Sequence, residues 1–337
     1  MFQRILVPLD GSTRSEQAIP LAAHLARASG GTVILVAVLD VVANSVATLA
    51  AASPETFDHQ FDDVDAYLAR ISAREDLAGV PTEREVAKGV VAETLLTVAL
   101  ARGADLIVLT SHGQTDLSRW ALRSVAKQLV RQASMPVLML REPILIALTS
   151  GGAAHITRPL RVLVPLDGSP LAESALRPAA FLLAALAPPQ ARMLHLTRVV
   201  DVFPTGGQTL LGSLMASVAW QEAHRYLLAT AERLQGGELA PLQVQISWSL
   251  TTSVDEAAAI VNVAETGEKL EGSAPPGGCD LIAMAVQHRH ISHGWAFGSV
   301  AARVLHGTRL PVLIVPTAEP ASAAQHERLP DVVGRAR

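Results

Sequence analysis

Two aspartates in this chain each end an apolar, β-branched run and are each followed by glycine and serine. Asp10 follows the run at 4–9, and Asp167 follows a nearly identical run at 161–166. In a parallel sheet, ligands bind beyond the carboxyl ends of the strands, and a carboxylate there can accept hydrogen bonds from a ribose hydroxyl. The same aspartates could instead cap the next helix or form a turn with the glycine, and the sequence leaves both interpretations open.

The chain repeats itself at the scale of a whole domain. An offset of 157 residues maps 4–12 onto 161–169, and an offset of 175 maps 124–138 onto 299–313. A period this long indicates a duplicated domain and not a solenoid unit. We predict domains at 1–141 and 160–316, joined by a linker at 142–159 and followed by a flexible tail at 317–337.

Short β-branched runs alternate with longer helical patterns, which is typical of a parallel sheet with crossover helices. Ser12 or Thr13 is placed to cap the first helix. A second-half insertion at 266–278 is predicted as a loop. The predicted strands are 5–9, 32–39, 82–86, 106–110, 137–140, 160–166, 192–197, 244–248, 281–285 and 312–315, and the first-half helices are 15–28, 57–77, 91–101 and 117–132.

Composition argues against several classes of partner. The 337 residues carry a net charge of −4 without a run of lysine or arginine, so nucleic acid and anionic membrane surfaces are not expected partners. The longest apolar stretch, 179–187, is far shorter than the roughly 20 residues of a membrane span. The one cysteine, Cys279, permits no internal disulfide, and the first residues show no signal segment, so we expect a cytoplasmic protein.

The order of the motifs identifies a family. Beyond the two aspartate runs, a Ser-His-Gly loop ends at Gly113, Ser124-Val125 opens a helix, and each half closes with an apolar Pro-Val-Leu strand. From 4 to 316 the chain resembles a tandem universal stress protein. That resemblance implies two flavodoxin-like, adenine nucleotide alpha hydrolase-like α/β domains, each a doubly wound parallel sheet of five strands in the order 3-2-1-4-5. It also implies that the last strands pair, giving an intramolecular pseudo-dimer.

The resemblance further implies an ATP site with a recognisable motif: Gly-x-x-Gly, nine residues, then Gly-Ser or Gly-Thr. Neither half keeps all three glycines, although Ser124 and Ser299 are both present. The three glycine positions fall on Thr110, Gly113 and Arg123 in the first half and on Ala285, His288 and Gly298 in the second. By the same resemblance, Asp10 and Asp167 would hold the ribose, Gly113 and Gly298 would line the phosphate path, and Ser124 and Ser299 would bind a phosphate oxygen.

Three interpretations of function stay open. The incomplete motifs favour a non-catalytic cytoplasmic stress protein with a degenerate adenine-nucleotide site in each half. The alternatives are a functional ATP-binding sensor or weak ATP hydrolase, and a ligand-free protein-interaction module. No catalytic or metal-binding residue is assigned, because the histidines at 288–293 lack metal-site spacing and are interpreted as a solvated loop. Beyond pairing of the two domains, a homodimer is a candidate assembly, and ATP is the candidate cofactor.

Overall fold

The first half is a five-stranded parallel sheet in the predicted order. The computed structural model describes residues 1–40, 54–110, 125–141, 158–201, 210–237, 239–267, 271–272, 277–287, 289–291, 294–296 and 298–317. Strand pairing gives the order β3-β2-β1-β4-β5, which confirms the order 3-2-1-4-5. The strands are β1 (Arg4–Leu9), β2 (Thr32–Asp40), β3 (Thr82–Gly89), β4 (Leu106–Thr110) and β5 (Val137–Leu140).

The first-half helices begin close to the predicted positions, but the first one is divided. Ser12 caps the leading four-residue helix by accepting a hydrogen bond from the Ser15 amide, as predicted. The second helix begins at Ile19, and Pro20 fits its first turn because an amide there has no partner within the helix. The helices are α1 (Thr13–Glu16), α2 (Ile19–Ser29), α3 (Pro54–Ser72), α4 (Val91–Ala101) and α5 (Val125–Gln132). The predicted helix at 117–132 is described only from Val125 onward.

The second half repeats this layout with additions. Its main strands run β8-β7-β6-β10-β13, which is again the order 3-2-1-4-5. The strands are β6 (Leu160–Pro165), β7 (Arg192–Val200), β8 (Gln245–Thr252), β9 (Glu271–Gly272), β10 (Leu281–Gln287), β11 (Arg289–Ile291), β12 (Gly294–Ala296) and β13 (Val312–Thr317). The helices are α6 (Pro170–Glu173), α7 (Leu176–Leu186), α8 (Leu210–Gly236), α9 (Glu256–Thr266) and α10 (Ser299–Gly307).

The two halves join through their last strands. β5 and β13 pair antiparallel, with Leu138 opposite Leu313, and this pairing merges the two sheets into one of 11 strands. Helices α2 and α7 pack against each other across the junction, where the His24 ring Nε2 lies 3.1 Å from the carbonyl oxygen of Ala185. The prediction of an intramolecular pseudo-dimer is therefore confirmed.

An apolar layer covers each face of the joined sheet. Side chains of β5 alternate between the layers, since Leu138 belongs to one and Met139 to the other. Leu313 and Val312 divide in the same way on β13, so both layers continue from one repeat into the other. Strands buried on both faces read as uninterrupted apolar runs, which is why each half closes with one.

Two segments that were interpreted as loops contain short strands. In the insertion, β9 pairs antiparallel with β8, placing Gly272 opposite Ser249. In the histidine-rich segment at 288–293, β11 pairs antiparallel with β12, which follows the segment, and Ile291 lies opposite Gly294. None of these three strands is predictable from periodicity, because two or three residues contain too little pattern to distinguish a strand from a turn.

Candidate functional site

A cavity of about 520 Å³ lies in the second half, at the carboxyl ends of β6 and β10. Its volume falls within the range of about 300–1,000 Å³ that is typical of small-molecule sites. β6 and β10 are neighbours at which the chain order of the sheet reverses, the usual ligand position in this architecture. The described lining includes the three second-half site residues that the sequence predicted: Asp167, Gly298 and Ser299.

One end of the cavity is formed by the first turn of α10. Gly298 is the N-cap of this helix, and no side chain caps it. The first-turn residues that follow it, Ser299 to Ala301, also line the cavity. Amide groups in the first turn of a helix have no partner within the helix, and together with the helix dipole they attract anions.

Gly298 is not required by the backbone conformation of this turn. Its φ of −52° is open to any residue, and an added Cβ would meet nothing within 4 Å. A side chain at this position would therefore extend into open space at the lining of the cavity without disturbing the fold.

The other side of the cavity carries the carboxylate of Asp167. Its Oδ1 accepts a hydrogen bond of 2.8 Å from the Ser169 amide, and the Ser169 hydroxyl in turn caps α6. Gly168 between them has a φ of +91°, a left-handed conformation that favours glycine. Of the two interpretations of Asp167, the turn is thus present, while ribose contact stays a prediction.

Asp10 makes the same turn in the first half. Its Oδ1 accepts hydrogen bonds from the Ser12 amide at 3.0 Å and the Ser12 hydroxyl at 2.6 Å, and Gly11 has a φ of +80°. Burial acts to raise the pKa of Asp10, but hydrogen bonds from Ser12 and Ser15 outweigh it and lower the pKa. The carboxylate is therefore ionised at neutral pH. Gly113 and Ser124, the other first-half candidates, lie outside the described residues.

Sequence reasoning missed Glu256, which also lines the cavity. Glu256 is the first residue of α9, directly after the N-cap Asp255. Burial raises the pKa of Glu256, and the negative charges of Asp167 and Asp201 raise it further. The acidic pair in the sequence is readily explained as helix capping, so only the position of α9 beside β6 and β10 reveals that Glu256 lines the cavity.

A second group that the sequence did not reveal recurs in both halves and supports the aspartate turns. In each half, the glutamate that ends the four-residue helix, α1 or α6, accepts a hydrogen bond from a tyrosine of a later long helix, α3 or α8. The same glutamate pairs with an arginine on that long helix or just after it. In the first half, Glu16 lies 3.1 Å from the Tyr67 hydroxyl and 3.0 Å from the Arg74 guanidinium. In the second half, Glu173 lies 2.8 Å from the Tyr226 hydroxyl and 2.5 Å from the Arg233 guanidinium. These contacts fix the short helix that follows each aspartate turn.

Comparison with known proteins agrees with the duplicated fold. The model of the universal stress protein family matches this chain twice, over residues 1–141 and 160–316. The chain belongs to the universal stress protein family. Membership accounts for the two repeats, and the resemblance proposed from the sequence motifs is confirmed.

Solved structures of universal stress proteins share the fold of this one. A universal stress protein from Archaeoglobus fulgidus is 16% identical with a TM-score of 0.59, covering 94% of this chain and 97% of its own. A putative universal stress protein from Pseudomonas aeruginosa is 17% identical with a TM-score of 0.54, covering 93% of each chain. No curated protein matches the sequence.

Two kinds of feature are absent from the part of the chain that the structure describes. No described helix combines the length and apolarity of a membrane-spanning segment. Within the same part of the chain, no group of three or more histidine, cysteine or acidic side chains is arranged to hold a metal ion.

Proposed function

We propose that this universal stress protein binds an adenine nucleotide in its second-half cavity and acts through binding, without turnover. The observation that carries the proposal is that one cavity of about 520 Å³ brings Asp167 together with Gly298 and Ser299. Asp167 accepts a hydrogen bond from the ribose, and the uncapped first turn of α10 donates amide hydrogen bonds to phosphate oxygens. The first half has the equivalent turn at Asp10, and we assign its phosphate contacts to Gly113 and Ser124.

Binding without turnover agrees with the charges around the cavity. Phosphoryl transfer needs positive groups or a metal ion to stabilise the developing charge. Among the described residues that line the cavity, the charged ones are Asp167 and Glu256, and both are acidic. No described side chain of the lining supplies that positive charge directly. The bound ligand would then regulate how a cytoplasmic stress protein supports survival under stress.

The test is to identify and then displace the bound molecule. The full chain is purified gently and denatured, and any released small molecule is identified by mass spectrometry. We expect the released molecule to be an adenine nucleotide. We expect Gly298→Arg to remove the nucleotide that is bound in the second half, because the long arginine side chain would extend into the space at the cavity lining. Gly236→Arg is the matched control, since a Cβ at Gly236 also meets nothing within 4 Å and this glycine ends α8 away from the cavity.

Two results would contradict the proposal. One is the absence of any released nucleotide together with an unchanged melting temperature when millimolar adenosine, AMP or ATP is added. The other is nucleotide binding that is equal in the wild type, Gly298→Arg and Gly236→Arg. The first result favours a ligand-free interaction module, and the second places the nucleotide outside this cavity.

A further inference from the structure

We propose that Glu256 makes the second-half site discriminate by ligand charge, so that it accepts adenosine or AMP in preference to ATP. This inference rests on the proposed function and concerns the same cavity. It assigns a role to a carboxylate that neither the family motif nor the sequence pattern identifies.

The first support is where Glu256 lies. It is the first residue of α9, and it lines the cavity together with Asp167 and with the first turn of α10. α9 and α10 pack against each other, and because each follows a parallel strand of the sheet, both begin at the same edge. Glu256 therefore borders the space that a phosphate group must enter to reach the amides of α10.

The second support is the balance of charge. Asp167 and Glu256 place two carboxylates on the described lining, where no described residue carries a positive charge. Of the arginines outside this lining, Arg198 stacks over the Tyr226 ring at 5.2 Å and Arg303 pairs with Asp255. Each added phosphate brings negative charge into this field, and at an effective dielectric constant of about 20 a unit charge about 10 Å away changes affinity roughly tenfold.

The third support is that the ionised form of Glu256 is disfavoured before any ligand binds. Burial raises the pKa of Glu256, and the negative charges of Asp167 and Asp201 raise it further, so its ionised form is already disfavoured. A polyphosphate would add to this repulsion. A nucleoside would not, because its hydroxyl and amino groups donate hydrogen bonds.

The fourth support comes from the other repeat. α4 and α9 are equivalent helices, and each begins one residue after its N-cap, so Val91 occupies in the first half the position of Glu256 in the second. The duplication thus supplies an internal reference in which the position equivalent to Glu256 is uncharged and the acidic residue of the first turn, Glu93, is exposed. The two halves of the chain are expected to differ in ligand preference at this point.

The experiment compares ligands that differ only in charge. Adenosine, AMP, ADP and ATP are titrated calorimetrically into the full chain in metal-free buffer containing EDTA. The same series is run on Glu256→Gln, which keeps the side-chain shape, on Glu256→Val, which copies the first half, and on Glu222→Gln. Glu222 is exposed on α8, so its substitution changes net charge without changing the cavity. Binding that survives in Gly298→Arg is subtracted as the first-half contribution.

The measured quantity is the ratio of ATP affinity to adenosine affinity, because a general effect on nucleoside binding cancels in it. We expect this ratio to rise about tenfold in Glu256→Gln and in Glu256→Val and to stay at the wild-type value in Glu222→Gln. An unchanged ratio in both Glu256 variants, with ligand still bound, would overturn the role of Glu256 while leaving the proposed function standing. If no ligand binds the wild type or any variant in a Gly298-dependent way, the proposed function itself fails, and this inference with it.

Discussion

Each aspartate that ends the first strand of a repeat accepts a hydrogen bond from the serine amide two residues later. That contact uses Oδ1 of Asp10 and of Asp167, and the intervening glycine of each turn has a left-handed φ. Local structure and a ligand contact are therefore compatible in one carboxyl group, since a carboxylate accepts more than one hydrogen bond. The hydrogen bond that each aspartate accepts within its turn therefore does not argue against a contact with a ligand.

The glycines of these turns should differ in how well they tolerate a side chain. Gly11→Ala and Gly168→Ala both place alanine at a left-handed φ, which costs about 1 kcal/mol. An added Cβ at Gly11 meets nothing within 4 Å, whereas at Gly168 it lies 3.2 Å from Nη1 of Arg198. We expect Gly168→Ala to lower the free energy of unfolding more than Gly11→Ala, as measured by urea denaturation. Equal losses would show that Arg198 moves aside freely.

A buried histidine in the second half should make the protein sensitive to acid. Both ring nitrogens of His195 lie 2.8 Å from serine hydroxyls, those of Ser247 and Ser249. Burial, with the positive charge of Arg161, lowers the pKa of His195 to about 4. Because the unfolded chain takes up this proton near pH 6.5, the folded state loses stability as pH falls from about 6.5 to 4.

Measurement of unfolding free energy against pH tests this expectation. Between pH 7 and pH 5 the wild type should lose about 2 kcal/mol through this one group. His195→Gln keeps hydrogen-bonding groups near both serines and removes the titration, so its loss over the same interval should be smaller by that amount. Parallel pH profiles for the two proteins would show that His195 does not control the acid response.

Periodicity predicts an element well when the signal for it lies in the residues of that element. The five strands of each sheet, their order and the Ser12 cap were all predictable, because apolar runs, turn residues and capping residues are local signals. Pairing of β9 with β8 was not predictable, because it depends on which strand lies at the edge of the sheet. Glu256 was missed for a similar reason, since only the packing of α9 brings it into the cavity.

The position of β9 suggests why the second half carries its insertion. An open sheet edge is an aggregation hazard, and exposed charges on the edge strand reduce it. The first-half edge strand, β3, exposes Arg84 and Lys88, whereas β8 contains no charged residue and is covered instead by β9. In the second half, pairing with β9 thus protects the edge of the sheet, as exposed charges on β3 do in the first half.

Removal of the insertion should therefore cause self-association. A Cβ on Gly278 would lie 2.4 Å from the carbonyl oxygen of Glu265, so the chain on either side of the insertion is already close. Deletion of 268–277, which joins Gly267 to Gly278, shortens this connection to its first-half length. We expect the variant to keep its fold by circular dichroism and to dimerise or aggregate with concentration in analytical ultracentrifugation.

Two controls accompany this deletion. Gln245 is exposed on β8, so Gln245→Lys in the deletion background should restore the association state of the full chain by charging the open edge. Deletion of ten residues from the tail, 328–337, should leave association unchanged. If the deletion variant associates no more than the full chain at any concentration, β8 does not need the protection of β9.

At the scale of the whole molecule, the two repeats share one sheet and two apolar layers. Leu138 and Leu313, opposite one another in the junction, are both fully buried. Each repeat therefore completes the core of the other, and neither would keep its last strand covered if it were alone. Tandem duplication fixes within one chain a contact that would otherwise require two chains to meet.

Separating the repeats should replace the internal pairing with an external one. Residues 1–141 expressed alone would expose β5, whose four residues are all buried in the full chain. Because β5 already accepts an antiparallel partner, we expect this fragment to dimerise through β5 paired with a second β5, as shown by light scattering during size-exclusion chromatography. Leu138→Lys in the fragment should prevent the dimer, since a buried lysine without a partner is costly at the strand pair. A stable monomeric fragment would show instead that the first repeat covers its own edge, so that the junction orients the repeats without being needed for their stability.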